Sequence, residues 1–359
     1  MRLFTCQACD NIVYFESRNC NHCGHRLGFL PKQNAIRALA PEGECWRQAG
    51  DTARLYAFCA NARKDACNWL VPAGSADALC AACRHNGTIP DLSDETRLQA
   101  WREMEDAKHR LIYSLLRWKL PLRTRTEDPE HGLIFHFLAD EPERKVMTGH
   151  ENGLITIALS DADDIERERR RQQMGEPYRT LLGHFRHEVG HHYWDLLVRD
   201  RGQLDACRQV FGDDSQDYEA ALRRHYKDGP PANWRESYVS AYAASHPWED
   251  FAETWAHYLH IIDTLEMAGN FGMQIAPVAD RIGGLRAAID FDPYEVENFD
   301  AVAQAWLPFV LAMNSLSRTI GSRDMYPFVL APPVIGKLTF IHHLVQREQD
   351  RLQPAPVAA

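Results

Sequence analysis

His187-Glu188-Val189-Gly190-His191 is the stretch on which the reading of this chain turns. Two histidines four residues apart on a helix share one face, a turn from each other, so both imidazoles can reach one ion. Glu188 lies one residue beyond His187 and can reach a water on the open side of that ion as a general base. Gly190 keeps bulk away from the turn, at a small cost in helix propensity. Tyr178, Leu182, Phe185, Val189 and Leu196 recur as an apolar stripe, which predicts a helix from near Glu176-Pro177 to about Val198.

A catalytic zinc site needs a third protein ligand and one open position. The metzincin continuation would place Gly at 194 and His at 197, but Trp194 and Leu197 stand there, which removes that class. The segment Pro247-Trp248-Glu249-Asp250-Phe251-Ala252-Glu253-Thr254-Trp255-Ala256-His257-Tyr258 predicts a second helix over roughly 248–263. Glu249, Glu253 and His257 are spaced four apart on one of its faces. Any of the three can supply the ligand, and a capped helix with a polar face has the same pattern.

The His-Glu-x-Gly-His run, with Asp195 four residues after its second His, resembles the gluzincin type of metallopeptidase. The segment Tyr242…Glu249-Asp250-Phe251-Ala252-Glu253 resembles the lethal-factor group within that type, where a Tyr precedes the ligand Glu by seven residues. That resemblance implies Glu249 as third ligand and Tyr242 as the hydroxyl that stabilises the oxyanion. It also implies Glu253 and Asp195 as groups that orient the ligand histidines. Gly183-His184-Phe185-Arg186-His187-Glu188, His246-Pro247-Trp248-Glu249-Asp250-Phe251-Ala252-Glu253 and Tyr326-Pro327-Phe328-Val329-Leu330 are similar to a bacterial family of zinc-binding metallopeptidases with an N-terminal zinc ribbon. This second resemblance covers nearly the whole chain.

Nine of the ten cysteines fall within residues 6–83, and three pairs there have Cys-x-x-Cys spacing. With no apolar leader ahead of Cys6, metal binding is a better reading than disulfides. Cys6-Gln-Ala-Cys9 and Cys20-Asn-His-Cys23 are two knuckles able to close a tetrahedral thiolate site, as in a zinc ribbon, with Ile12-Val13-Tyr14-Phe15 as a short strand between them. Cys59, Cys67, Cys80 and Cys83 could form a second site, with Cys45 a substitute ligand. Cys207 lies alone in a helical stretch and reads as a buried apolar residue.

Between these parts the chain reads as follows. Residues 31–44, with Pro31 and Pro41-Glu42-Gly43, look like a linker. Leu98, Trp101, Met104, Leu111, Ile112 and Leu115 mark a long helix begun at Ser93-Asp94-Glu95 and stopped by Pro121. Residues 133–138 and 153–159 read as strands, the second either a substrate-pairing edge strand or a core strand. Residues 161–173 suggest a solvated helix, the last third is mostly helical, and the tail after 353 is Pro-rich and loose. His184 and His192 are expected in supporting or solvent positions, and His260 on a helix surface.

Residues 1–90 carry 10 Lys/Arg against 7 Asp/Glu, and the remainder 30 against 43. A body this acidic argues against non-specific nucleic-acid binding. No apolar run is long enough to span a membrane, and a cytoplasmic location is expected. The expected architecture is α+β: a zincin-like, mainly helical catalytic domain over 91–350 with a small β-sheet, preceded by a zinc ribbon at 1–30 and a second cysteine module at 45–90. The expected activity is peptide hydrolysis by a zinc-activated water, with one catalytic zinc and one or two structural zincs, and with the ribbons available to a protein partner. Two other readings are a non-enzymatic protein whose ribbons dock nucleic acid or a protein and whose His-Glu site is structural with four protein ligands, and a zinc amidase acting on a non-protein substrate.

Overall fold

The computed structural model describes residues 1–50, 54–141, 145–174 and 180–352. The fold mixes α and β structure, 46% helical with small sheets. It divides into two compact units, Met1–Arg117 with Pro121–Arg167, and Trp118–Leu120 with Glu168–Ala359.

In the first unit, β1 (Phe4–Thr5) and β2 (Ile12–Val13) pair antiparallel. A five-stranded antiparallel sheet then runs in chain order through β3 (Arg26–Leu30), β4 (Ala35–Glu42), β5 (Cys45–Gln48), β6 (Leu55–Phe58) and β7 (Leu70–Pro72). The expected linker at 31–44 is therefore mostly strand. Ile36, Ala38 and Leu39 bury their side chains, while Pro31 opens a single 3-10 turn and Pro41 falls in the exposed end of β4. Prolines tolerated at such edges read in sequence as breakers.

Helix α1 (Glu95–Arg117) buries the predicted stripe from Leu98 to Leu115. Phe15, Phe29, Trp69 and Tyr113 interlock edge-on or tilted, with Phe29 and Trp69 ring centroids 4.6 Å apart. Strands β8 (Ile134–Leu138), β9 (Gly149–Glu151) and β10 (Leu154–Ala158) form a second sheet in the order β8-β10-β9. Strand β10 is parallel to β8 and antiparallel to β9. Both its edges are paired, so of the two readings of 153–159 the core strand holds and the free substrate-pairing edge does not. Helix α2 (Asp164–Met174) contains the division between the units.

In the second unit, α3 (Leu181–Trp194) starts later than predicted. Thr180 caps it, its Oγ1 accepting the N–H of Gly183 at 3.0 Å; Glu176, Pro177 and Tyr178 lie outside the described residues, as does the tail after 353. One turn of π-helix, Asp195–Arg199, continues it. Helices α4 (Leu204–Phe211) and α5 (Tyr218–Asp228) follow, then α6 (Pro247–Asn270), α7 (Phe299–Thr319) and α8 (Pro332–Leu352).

Helix α6 is buried on almost every side, from Phe251 and Trp255 to Ile262 and Leu265. It outlasts the predicted 248–263 because its apolar residues continue to Ala268. Helices α3 and α6 touch at Gly190: a Cβ there would come within 3.0 Å of the Ala252 Cα and 3.2 Å of the Trp255 Cβ. Beside that contact, the rings of Tyr193 and Trp255 stack with centroids 4.9 Å apart. Replacing Gly190 by Val is expected to overpack this crossing and destabilise the protein by about 1–3 kcal/mol, read as a lower denaturant midpoint at unchanged slope.

Candidate metal centres

The first turn of α6 is aimed by its cap. His246 Nδ1 accepts the Trp248 N–H at 3.1 Å, and Pro247 occupies the first helical position. This brings Glu249 against the predicted face of α3. Glu249 Oε2 lies 3.0 Å from His187 Nε2 and 3.5 Å from His191 Nε2. The three donor atoms lie within 4.8 Å of one another. Tetrahedral ligands about 2.0–2.1 Å from zinc sit about 3.3 Å apart, so the set fits one zinc ion. Glu249 Oε2 is buried and accepts no hydrogen bond, a costly position for a carboxylate oxygen unless a cation faces it.

The charges of the three groups act on one another. Burial would raise the Glu249 carboxyl, but His191 and His187 overcome it and hold the group well below the usual carboxylate range. For His187, burial works downward and the carboxylates of Glu249 and Glu253 outweigh it, raising the imidazole. For His191, burial prevails and lowers it.

Glu253 sits on the other nitrogen of His187, its Oε1 2.8 Å from Nδ1. Its Oε2 accepts the Ser240 hydroxyl at 2.6 Å. His257 turns elsewhere, with Nδ1 2.7 Å from the Tyr326 hydroxyl. Of the three candidates on α6, Glu249 alone joins His187 and His191 in the converging group. The Tyr242 ring lies 6.0 Å from that of His187. Burial, then the charge of Glu249, raises the Tyr242 hydroxyl far above the usual tyrosine range, so it stays a neutral donor. Glu188 is buried on α3 beside His187. Asp195 begins the π-helical turn, its Oδ1 accepting from Arg199 at 2.7 Å.

Three residues escaped the sequence reading. Tyr218 on α5 donates its hydroxyl to Glu249 Oε1. Ser240 holds Glu253. Trp248 lies over His191, ring centroids 3.7 Å apart. Nothing in local spacing marks Tyr218, which is 31 residues from its partner. His260, expected on a helix surface, is half-buried and bonds Arg186, which also pairs with Asp263. His192 is buried against Tyr193 rather than solvated.

The cysteines of the first unit gather as expected from their knuckles. Cys6, Cys9, Cys20 and Cys23 form one group, and Cys59, Cys67, Cys80 and Cys83 a fully buried second. Sulfur pairs stand 3.6 Å apart for Cys6–Cys23 and Cys9–Cys20, and 3.7 Å for Cys67–Cys80. Four thiolates about 2.3 Å from zinc lie about 3.8 Å apart, whereas a disulfide needs about 2.05 Å. Cys45 belongs to neither group; it pairs with Glu42 at the end of β5. The second group has neighbours that the sequence reading missed. His109 Nε2 lies 3.3 Å from Cys67 Sγ, and Glu105 Oε2 accepts from Cys83 Sγ at 3.4 Å, both from α1. Cys207 is buried, which pushes its thiol up to about 12.

Two histidines and a carboxylate around one point are a donor set that suits a zinc ion. The comparisons agree. Residues 97–344 match the family described as "Putative zinc-binding metallo-peptidase", and residues 3–94 match a zinc-ribbon domain. The chain belongs to this zinc-binding metallopeptidase family, with an N-terminal zinc-ribbon domain. Uncharacterized proteins of Mycobacterium bovis and Mycobacterium tuberculosis are 40% identical to it over 356 residues, which is 99% of this chain and 98% of theirs. No solved structure gives a significant match. Among the described residues no helix is long and apolar enough to cross a membrane.

Replacing Cys80 by Ser is expected to lower bound zinc by about one ion per chain and to reduce thermal stability, because a structural zinc contributes folding free energy directly. Metal analysis of the purified protein beside the parent checks this.

Proposed function

We propose that the second unit is a zinc-dependent peptidase acting on peptides or unfolded segments of proteins, with His187, His191 and Glu249 as the metal ligands. The convergence of their three donor atoms carries this reading, with Glu188 next to His187 in the sequence. Zinc, when bound there, supplies Lewis acidity that polarises the scissile carbonyl and makes water more acidic.

The remaining chemistry belongs to the chain. Glu188 accepts the proton of the attacking water and passes it to the leaving amine. The neutral Tyr242 hydroxyl donates a hydrogen bond where negative charge develops on the carbonyl oxygen, a contribution of about 3 kcal/mol for one such donor. Glu253, fixed by Ser240, accepts from His187 Nδ1, which leaves the Nε2 lone pair directed at the metal position. The two cysteine groups hold one structural zinc each, and their unit is available for a protein partner.

Replacing Glu188 by Gln is expected to leave zinc content unchanged and to slow cleavage of a quenched-fluorescence peptide library about 100- to 10,000-fold. Unchanged hydrolysis with the metal still bound would overturn the mechanism. Replacing Glu253 by Gln is expected to weaken zinc binding at this site about 10- to 100-fold, measured by competition with a chromogenic chelator.

A further inference from the structure

A carboxylate ligand can offer a metal one oxygen or two. With two oxygens on the ion, the place that a catalytic site keeps open for a reactant is crowded or filled. The geometry around Glu249 bears on which occurs. Its Oε2 faces both ligand imidazoles, at 3.0 and 3.5 Å. Its Oε1 accepts the hydroxyl of Tyr218. The two oxygens thus have separate tasks, and a hydrogen bond to an ionised acceptor is among the stronger kinds.

Tyr218 is well placed to enforce this. It is the first residue of α5, and Asp217 caps that helix by accepting the Ala220 N–H at 2.9 Å. Its ring stands edge-on to His246, the cap of α6, with centroids 5.3 Å apart, and edge-on to Trp248 at 5.6 Å. Those two residues bracket Pro247 at the start of the helix that carries Glu249. The side chain is therefore held by the same turn whose carboxylate it touches.

We infer that Tyr218 is a positioning residue that restrains Glu249 to a single donor oxygen, so that the fourth coordination place stays open for the reacting water. This rests on the function proposed above and goes beyond it by explaining how the site stays open.

The test uses the full chain with zinc retained in the cysteine groups. The metal of the histidine site is removed by mild chelation and replaced by one equivalent of Co2+. Tyr218→Phe removes one oxygen and keeps the ring between His246 and Trp248. The parent protein is expected to give the visible absorption of four-coordinate cobalt. The Tyr218→Phe protein is expected to give bands several-fold weaker and shifted to shorter wavelength, the signature of a fifth ligand. Its zinc form should lose about 10- to 100-fold in kcat, with KM little changed. Cobalt X-ray absorption of the parent protein counts the ligands directly and needs no variant: four are expected, and five would overturn the inference. Parent-like cobalt bands in Tyr218→Phe would overturn it as well. Glu188→Gln separates the two levels of the argument. If it abolishes hydrolysis while Tyr218→Phe keeps the parent spectrum, only the role of Tyr218 falls. If it leaves hydrolysis intact, the peptidase mechanism itself falls.

Discussion

The second unit is organised around one buried carboxylate oxygen, Glu249 Oε2, held between the Nε2 atoms of His187 and His191. Placing a carboxylate inside a protein costs several kcal/mol unless opposite charge and hydrogen bonds offset it. Two imidazoles and a bound cation can do so, but only if α3 and α6 approach closely enough. Gly190 permits that approach, since even a methyl group would press on Ala252. The cap at His246 then sets where the first turn of α6 points, and Glu253 with Ser240 sets which nitrogen of His187 faces inward. In the proposed site, metal affinity, helix packing and ligand orientation are thus one constraint seen at three scales.

The same helix carries three more buried carboxylates, Asp250, Asp263 and Glu266, and the first two are met from other elements. Lys337 on α8 reaches Asp250 at 2.6 Å and also donates to the Ser237 carbonyl. Arg186 on α3 and the Tyr294 hydroxyl meet Asp263. Buried ion pairs add little net stability compared with well-packed apolar groups, yet breaking one is strongly destabilising. Here they fix the register of α3 and α8 on α6. The Ser237 contact also restrains the segment leading to Ser240 and Tyr242.

The first unit solves a different problem. Its strands are short and its five-stranded sheet has a small core, centred on Leu30, Leu39, Tyr56 and Leu70. Small sheets of this kind gain from metal staples, and structural zinc binding is worth roughly 10–16 kcal/mol in zinc-finger peptides. The second cysteine group is further enclosed by Glu105 and His109, which belong to α1. That helix is thereby tied to the cysteine group by polar contacts as well as by its aromatic packing.

Spacing alone determined much of this protein. The four-residue interval of His187 and His191 placed both on one helical face, two Cys-x-x-Cys knuckles announced the first thiolate cluster and a third knuckle half of the second, and the stripe from Leu98 to Leu115 marked α1. Glu249, Glu253 and His257 could not be separated that way, because intervals of four put all three on one face. Only the tertiary structure turned Glu249 Oε2 toward two imidazoles, Glu253 toward the outer nitrogen of His187, and His257 toward Tyr326. For the same reason the strand at 153–159 was legible as a strand but edge and interior could not be told apart, residues 31–44 concealed β4 behind two prolines, and Tyr218 carried no signal. Periodicity records which side of an element is apolar. What lies opposite that side depends on chain segments tens of residues away, and is decided only when they pack.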